Sequence, residues 1–195
     1  MKIPLLPFLL LLLLWGLAAT AAGAVHLLAS LPPSVVPVLV GGLTVSLTVA
    51  ALHPTWAGDA VSRIGLRRLL AFHLIRFVGF YFLWLHAQGR LHAEFANRAG
   101  WGDIVAAAGA LGLLFWPDGP AFRRALAVWN VVGLADLVVA VGTGGWLNLT
   151  RPGSMAEMSG LPLTLVPLWI VPVLMASHFV IFRRLGRTAA AVAAV

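Results

Sequence analysis

A histidine and an arginine stand inside one of the most apolar stretches of this chain. In residues 66–103, LRRLLAFHLIRFVGFYFLWLHAQGRLHAEFANRAGWGD, His73 and Arg76 interrupt a run built largely of Leu, Phe, Ile and Val. Ionisable groups in hydrocarbon are costly and are kept there only for a reason. The same stretch holds three of the six histidines, five of the thirteen basic residues and two of the six acids.

The solvent for such a chain is the bilayer. Of 195 residues, 61% are hydrophobic and 10% are charged, against about 25% charged in soluble domains. That length suits one helical bundle, not two domains. The formal charge of +7 is read as the Lys/Arg excess of cytoplasmic loops. No basic patch interleaved with aromatics occurs in a polar segment, so nucleic acid is not an expected partner. The absence of cysteine removes thiolate nucleophiles, iron–sulfur clusters and Cys-type zinc sites. His92 and Glu94 form the H-x-E half of a zinc deaminase signature whose P-C-x-x-C half is missing. Thr143-Gly144-Gly145 lacks the Lys-Ser/Thr of a phosphate loop. Asn148-Leu149-Thr150 is a sequon that matters only in a eukaryotic secretory context. Arg outnumbers Lys twelve to one and Ala is abundant, which indicates a high-GC bacterial genome. No catalytic constellation stands out, so an enzyme is not the expected class.

The expected fold is all-α, a polytopic transmembrane helix bundle in one domain. Six spans are expected, at about 4–24, 33–52, 68–88, 103–117, 124–147 and 161–183. The count falls to five if residues 1–24 are a signal peptide cleaved after Ala22-Gly23-Ala24, but the run continues apolar through Leu28 and favours a retained helix. Residues 89–102 read as an irregular outer loop, with Asp103 as N-cap of the fourth span. That span carries the small-xxx-small pairs Ala106/Ala110 and Ala108/Gly112. Pro167 and Pro172 inside the last span predict kinks and freed carbonyls. Lys2, Arg63, Arg67, Arg68, Arg123, Arg124, Arg183, Arg184 and Arg187 then fall on one side. Arg90, Arg98 and Arg151, balanced by Glu94, Asp103 and Glu157, fall on the other. The asymmetry places the C-terminus in the cytoplasm of a bacterial inner membrane.

Two stretches stand out together: Phe95-Ala96 with Ala99-Gly100-Trp101-Gly102-Asp103, and Trp129-Asn130 with Gly133-Leu134 and Asp136-Leu137. They resemble a group of uncharacterised bacterial multi-pass membrane proteins that pair an AG-x-GD turn with a WN-x-x-GL-x-D helix. The similarity lies in the middle third of the chain. It implies a fold type and supplies no activity.

Depth brings candidate residues into register. His73 and His178 each lie five residues, about 7–8 Å, inside a span from its basic end, and Asn130 lies at a similar depth. Arg76 and Asp136 lie deeper, near the midplane. The helical period places His73, Arg76, Phe77, Phe80 and Trp84 on one face of the third span. Trp129, Gly133, Asp136 and Ala140 form one stripe of the fifth, with Asn130 at its edge. Arg76 and Asp136 are expected to pair, either as a structural lock or as part of an ion pathway. His73 and His178 are core histidines or the axial pair of a b-type haem. His73 and His86 are thirteen residues apart, about 140° around a helix, which disfavours two stacked haems on that span. At the outer surface His26, His86, His92, Glu94 and Asp103 offer imidazole and carboxylate for zinc or copper, though the spacing matches no established motif and a solvated loop is the alternative.

Three functions follow. One is a small transporter or ion/proton pathway built on His73, Arg76, Asn130, Asp136 and His178. The others are a haem-binding electron-transfer subunit and an accessory subunit. The bilayer is the expected partner, with a homo-oligomer or a larger membrane complex as the assembly.

Overall fold

The computed structural model describes the backbone of residues 5–193 and the side chains of residues 5–186. Lys2, the first residue of the expected span 4–24, the side chain of Arg187 and the end of the 188–195 tail lie outside the described residues. Six long helices make up the fold: α1 (Leu5–Ala24), α2 (Val35–Leu52), α3 (Leu66–Ala87), α4 (Ala93–Phe115), α5 (Pro120–Thr150) and α6 (Val171–Ala193). Short helices Leu27–Ser30 and Trp56–Ser62 occupy two of the connections, and no strand occurs among the described residues.

Five helical stretches are long and apolar enough to cross a membrane: α1, α2, α3, α5 and Val166–Gly186, which contains most of α6. Val128, Val131, Val132, Val138 and Val139 of α5 point outward, as expected where the surrounding medium is as apolar as the core. The exception among the long helices is α4, whose composition is broken by Glu94, Arg98 and Asp103. It is 23 residues long, about 34 Å, and it packs between α3 and α5. On the other side of the bundle α6 packs against α2 and α5. Helix α1 is peripheral, with only Phe8, Ala19 and Gly23 buried. The Trp169 indole donates to Leu12 O at 2.9 Å and ties it on.

The start of α4 corrects the expected outer loop. The helix begins at Ala93, with His92 as N-cap accepting from the Glu94 amide. Asp103 is therefore a mid-helix residue, not an N-cap. The acidic first-turn residue is Glu94, which suits the positive helix end. Of the small-residue pairs, Ala106 and Ala110 are buried and Ala108 and Gly112 face outward.

Helix α3 is not uniformly α-helical. Residues His73–Phe77 form a 3₁₀ segment between Leu66–Phe72 and Val78–Ala87. A 3₁₀ turn advances about 120° per residue against about 100°, so five residues add a rotation of about 100°. The buried face runs through His73 and Arg76 in this segment and through Gly79, Phe82 and Leu85 in the α-helical turns that follow. Phe80 and Trp84, expected on the face of Arg76, are 55% and 50% exposed. Immediately before α6 the expected proline irregularity is a π-helical segment, Val166–Ile170, around Pro167.

Several arginines at one end of the bundle have structural partners. Arg67 donates to Leu114 O at 2.5 Å and Trp116 O at 2.8 Å, at the C-terminus of α4. Arg183 donates to Leu52 O at the end of α2. Arg184 donates to Val61 O and Ile64 O beyond the short helix Trp56–Ser62. Each cation closes the negative end of another helix.

Candidate functional site

The packing of α4 between α3 and α5 puts three charged groups in one place. Arg76 is fully buried. Its Nε donates to Asp103 Oδ1 at 2.7 Å, its Nη1 to Gly133 O at 3.0 Å, and its Nη2 to Asp136 Oδ2. One guanidinium thus joins α3 to carboxylates on α4 and α5 and to a backbone carbonyl. The fork of donors on Arg suits such divided bonding, whereas a Lys ammonium lacks that fixed geometry. Burial falls from Arg76 to Asp103 to Asp136, whose side chains are 0%, 9% and 16% exposed.

Glycines make this approach possible. A Cβ at Gly102 would overlap the Asp136 carboxylate, and one at Gly133 would press on the His178 ring at 2.9 Å and Arg76 Nη1 at 3.3 Å. Both belong to the two sequence stretches singled out above. The AG-x-GD and WN-x-x-GL-x-D segments are therefore the two walls of the arginine site. They also meet at Trp129, whose indole donates to Ala106 O at 2.8 Å.

Below the arginine lies a layer of rings. His73 and His178 are both fully buried, with centroids 4.5 Å apart, and Trp129 packs edge-on to His73 at 4.8 Å. Their hydrogen bonds fix their tautomers. Ser177 Oγ donates its proton to Leu174 O at 2.7 Å, so His73 Nε2, 2.8 Å away, is the donor to that hydroxyl. Asn130 Nδ2 donates to His178 O at 3.1 Å, which leaves Asn130 Oδ1 to accept from His178 Nδ1 at 2.8 Å. In the neutral rings His73 Nδ1 and His178 Nε2 are then bare acceptors. Both are buried without a hydrogen-bond partner.

These contacts bring together all five residues expected in the buried layer: His73, Arg76, Asn130, Asp136 and His178. They add Asp103 and Ser177. Asp103 was missed as a member because its position after Gly-Trp-Gly imitates a helix start. Arg76 and Asp136 already balance as a pair, so charge counting in the sequence held no clue that another carboxylate belonged. The bis-histidine haem arrangement does not fit. Two imidazoles in direct ring contact, with centroids 4.5 Å apart, leave no slot for a flat macrocycle between them.

The outer residues do not converge. His86 Nδ1 lies 3.2 Å from Leu91 O, His92 Nε2 lies 2.7 Å from Arg151 Nη1, and Glu94 pairs with Arg98 at 3.0 Å. Asp103 is in the buried site, and the His26 ring lies beside Gly160. Among the described residues no group of three or more His, Asp or Glu is placed to hold a metal ion. Arg90, beside them, makes two bonds to Glu157, at 3.1 and 2.9 Å.

A family model described as Domain of unknown function (DUF8737) matches residues 33–186. The match takes in every residue of the buried site. No curated protein and no solved structure matches the chain.

Proposed function

The chain belongs to the DUF8737 family, and from its buried polar site we propose that it is a small transporter or ion pathway of a bacterial inner membrane. The observation that carries this reading is the charge balance at Arg76. One guanidinium faces two carboxylates, from α4 and α5, so with all three ionised a negative charge is left over among apolar helices. A structural lock needs one partner of each sign, since uncompensated charge in a low-dielectric interior is unfavourable. A site that exchanges a cation needs the surplus. The groups come from four helices, α3 to α6, which is how a central binding site in a bundle is built.

In this reading α4 crosses the membrane as a sixth span, shielded by its neighbours, with the C-terminus in the cytoplasm. The lipid bilayer is the partner, and nucleic acid is not. The test is reconstitution of the purified full-length chain into liposomes, with flux of H⁺, Na⁺ and K⁺ followed by ion-selective dyes under an imposed potential. Cation flux above that of empty liposomes supports the reading, and flux no greater than that of empty liposomes for each of the three ions overturns it.

A further inference from the structure

The cation such a site accepts can be argued from the atoms left without partners. Hard alkali cations are held by several oxygens. Here Asp103 Oδ1, Asp136 Oδ2 and Gly133 O are taken by Arg76, which leaves one further oxygen on each carboxylate, fewer than the several a hard cation takes. The hydroxyl of Ser177 and the amide oxygen of Asn130 are taken by the histidines. Two imidazole nitrogens, His73 Nδ1 and His178 Nε2, are buried with a lone pair and no donor. An imidazole lone pair takes a proton readily and an alkali ion poorly.

Resting on the transport reading above, we infer that the exchanged cation is the proton and that the stacked histidine pair of α3 and α6 is its binding site, holding one proton at a time. The step is a simple protonation. A proton arriving from water binds His178 Nε2 or His73 Nδ1, converting one neutral ring to imidazolium, and leaves again to water on the other side. No bond other than N–H forms or breaks.

The surroundings set the limit of one. Against the pair lie Arg76 from α3, Trp129 and Asn130 from α5 and Ser177 from α6, and Asp103 and Asp136 are joined to it through Arg76. The edge of His178 that carries Nε2 lies over Gly133, beside Arg76 Nη1. Burial and Arg76 both oppose a charge on either ring, so in this account a proton enters only through the surplus negative charge that Asp103 and Asp136 place around that arginine. One imidazolium brings the cluster to neutrality, and a second, at 4.5 Å between ring centroids, makes it positive. The carboxylates therefore act as positioning residues for the proton, through charge and not through contact with it.

Nitrogen-15 magnetic resonance of histidine-labelled protein in lipid reads this directly, because imidazole nitrogen shifts distinguish the two tautomers and the imidazolium. The resonances are assigned with His73→Asn and His178→Asn. In neutral samples the expected species are the Nε2–H tautomer for His73 and the Nδ1–H tautomer for His178. On stepwise acidification from about pH 8, one imidazolium appears while the protein is still folded, shared by the pair. In Asp136→Asn its midpoint moves down by about one pH unit, a tenfold loss of proton affinity. Asp103→Asn serves the same purpose if the first variant fails to fold. The inference is overturned if both rings stay neutral in folded protein, if both charge independently, or if removing a carboxylate leaves the midpoint in place. A histidine titration without ion flux would remove the transport reading and leave the proton site standing. Flux without a titration would do the reverse.

Discussion

Asp103 accepts a hydrogen bond from Arg76 Nε at 2.7 Å, and both residues sit in the middle of their helices. The contact decides the character of the bundle centre. With Asp136 alone, Arg76 would be one half of a neutral pair. With Asp103 as well, the guanidinium is outnumbered, and α4 becomes a wall of the site in place of a cap over it.

Arg76→Leu should be the most damaging single change in the cluster. It leaves two facing carboxylates and Gly133 O without their donor. Loss of one partner of a buried pair costs about 3–5 kcal/mol in soluble proteins, and less where water defects relieve the charge. Asp136→Asn keeps an acceptor oxygen for Arg76 and removes the surplus charge, so it should accumulate as folded protein. Adding Asp103→Asn and Asp136→Asn to Arg76→Leu should partly restore folding. Fluorescence-detected gel filtration and urea unfolding in detergent give the ranking. Equal stability of wild type and Arg76→Leu would mean that the network does not hold the helices.

Gly102→Ala should separate Asp136 from Arg76, because the added Cβ would occupy the position of the carboxylate. Gly41→Ala, in α2 with nothing within 4 Å of a Cβ, should be neutral or stabilise by about 0.5–1 kcal/mol, the usual helix-interior gain of Ala over Gly. The same unfolding experiment on both variants checks the contrast. Matching losses would show that any substitution in a helix glycine is damaging, with no special role for the Gly102 contact.

His92→Ala removes the N-cap of α4 and should cost about 1 kcal/mol. Neither it nor Glu94→Ala should change metal content, since each side chain is committed to a protein partner. Elemental analysis of purified protein is the check. Stoichiometric zinc or copper that disappears in either variant would re-establish a metal site at the outer end.

Reporter fusions settle orientation. One placed after Arg187 should report the cytoplasmic side and one in 148–160 the opposite side. Intact-mass spectrometry of the same preparations shows whether residues 1–24 are retained.

Much of the centre was legible in the sequence because charged residues in apolar runs are few. Counting in from the basic ends brought His73, Asn130 and His178 to one level, and the remaining Arg and Asp to the level above. What stayed hidden depends on helix geometry. The 3₁₀ segment His73–Phe77 turns Phe80 and Trp84 away from the face of Arg76, and no residue in HLIRF announces that winding. Asp103 follows a Gly-rich stretch that reads as loop, yet Gly100 and Gly102 lie inside α4 because neighbouring helices approach there. Ser177 could not be singled out, since its role is to fix a histidine tautomer on another helix. The arginines near the basic end served the charge asymmetry well, while their helix-capping contacts needed the fold.

The most direct measurement compares proton flux in liposomes containing wild type with flux in liposomes containing Asp103→Asn. The substitution keeps an oxygen to accept from Arg76 Nε and removes only the surplus negative charge. The account predicts voltage-driven proton flux for the wild type and, in line with the tenfold loss of proton affinity, a fall of about tenfold for the variant, with both proteins folded by gel filtration. Wild-type flux that persists undiminished in Asp103→Asn would contradict it.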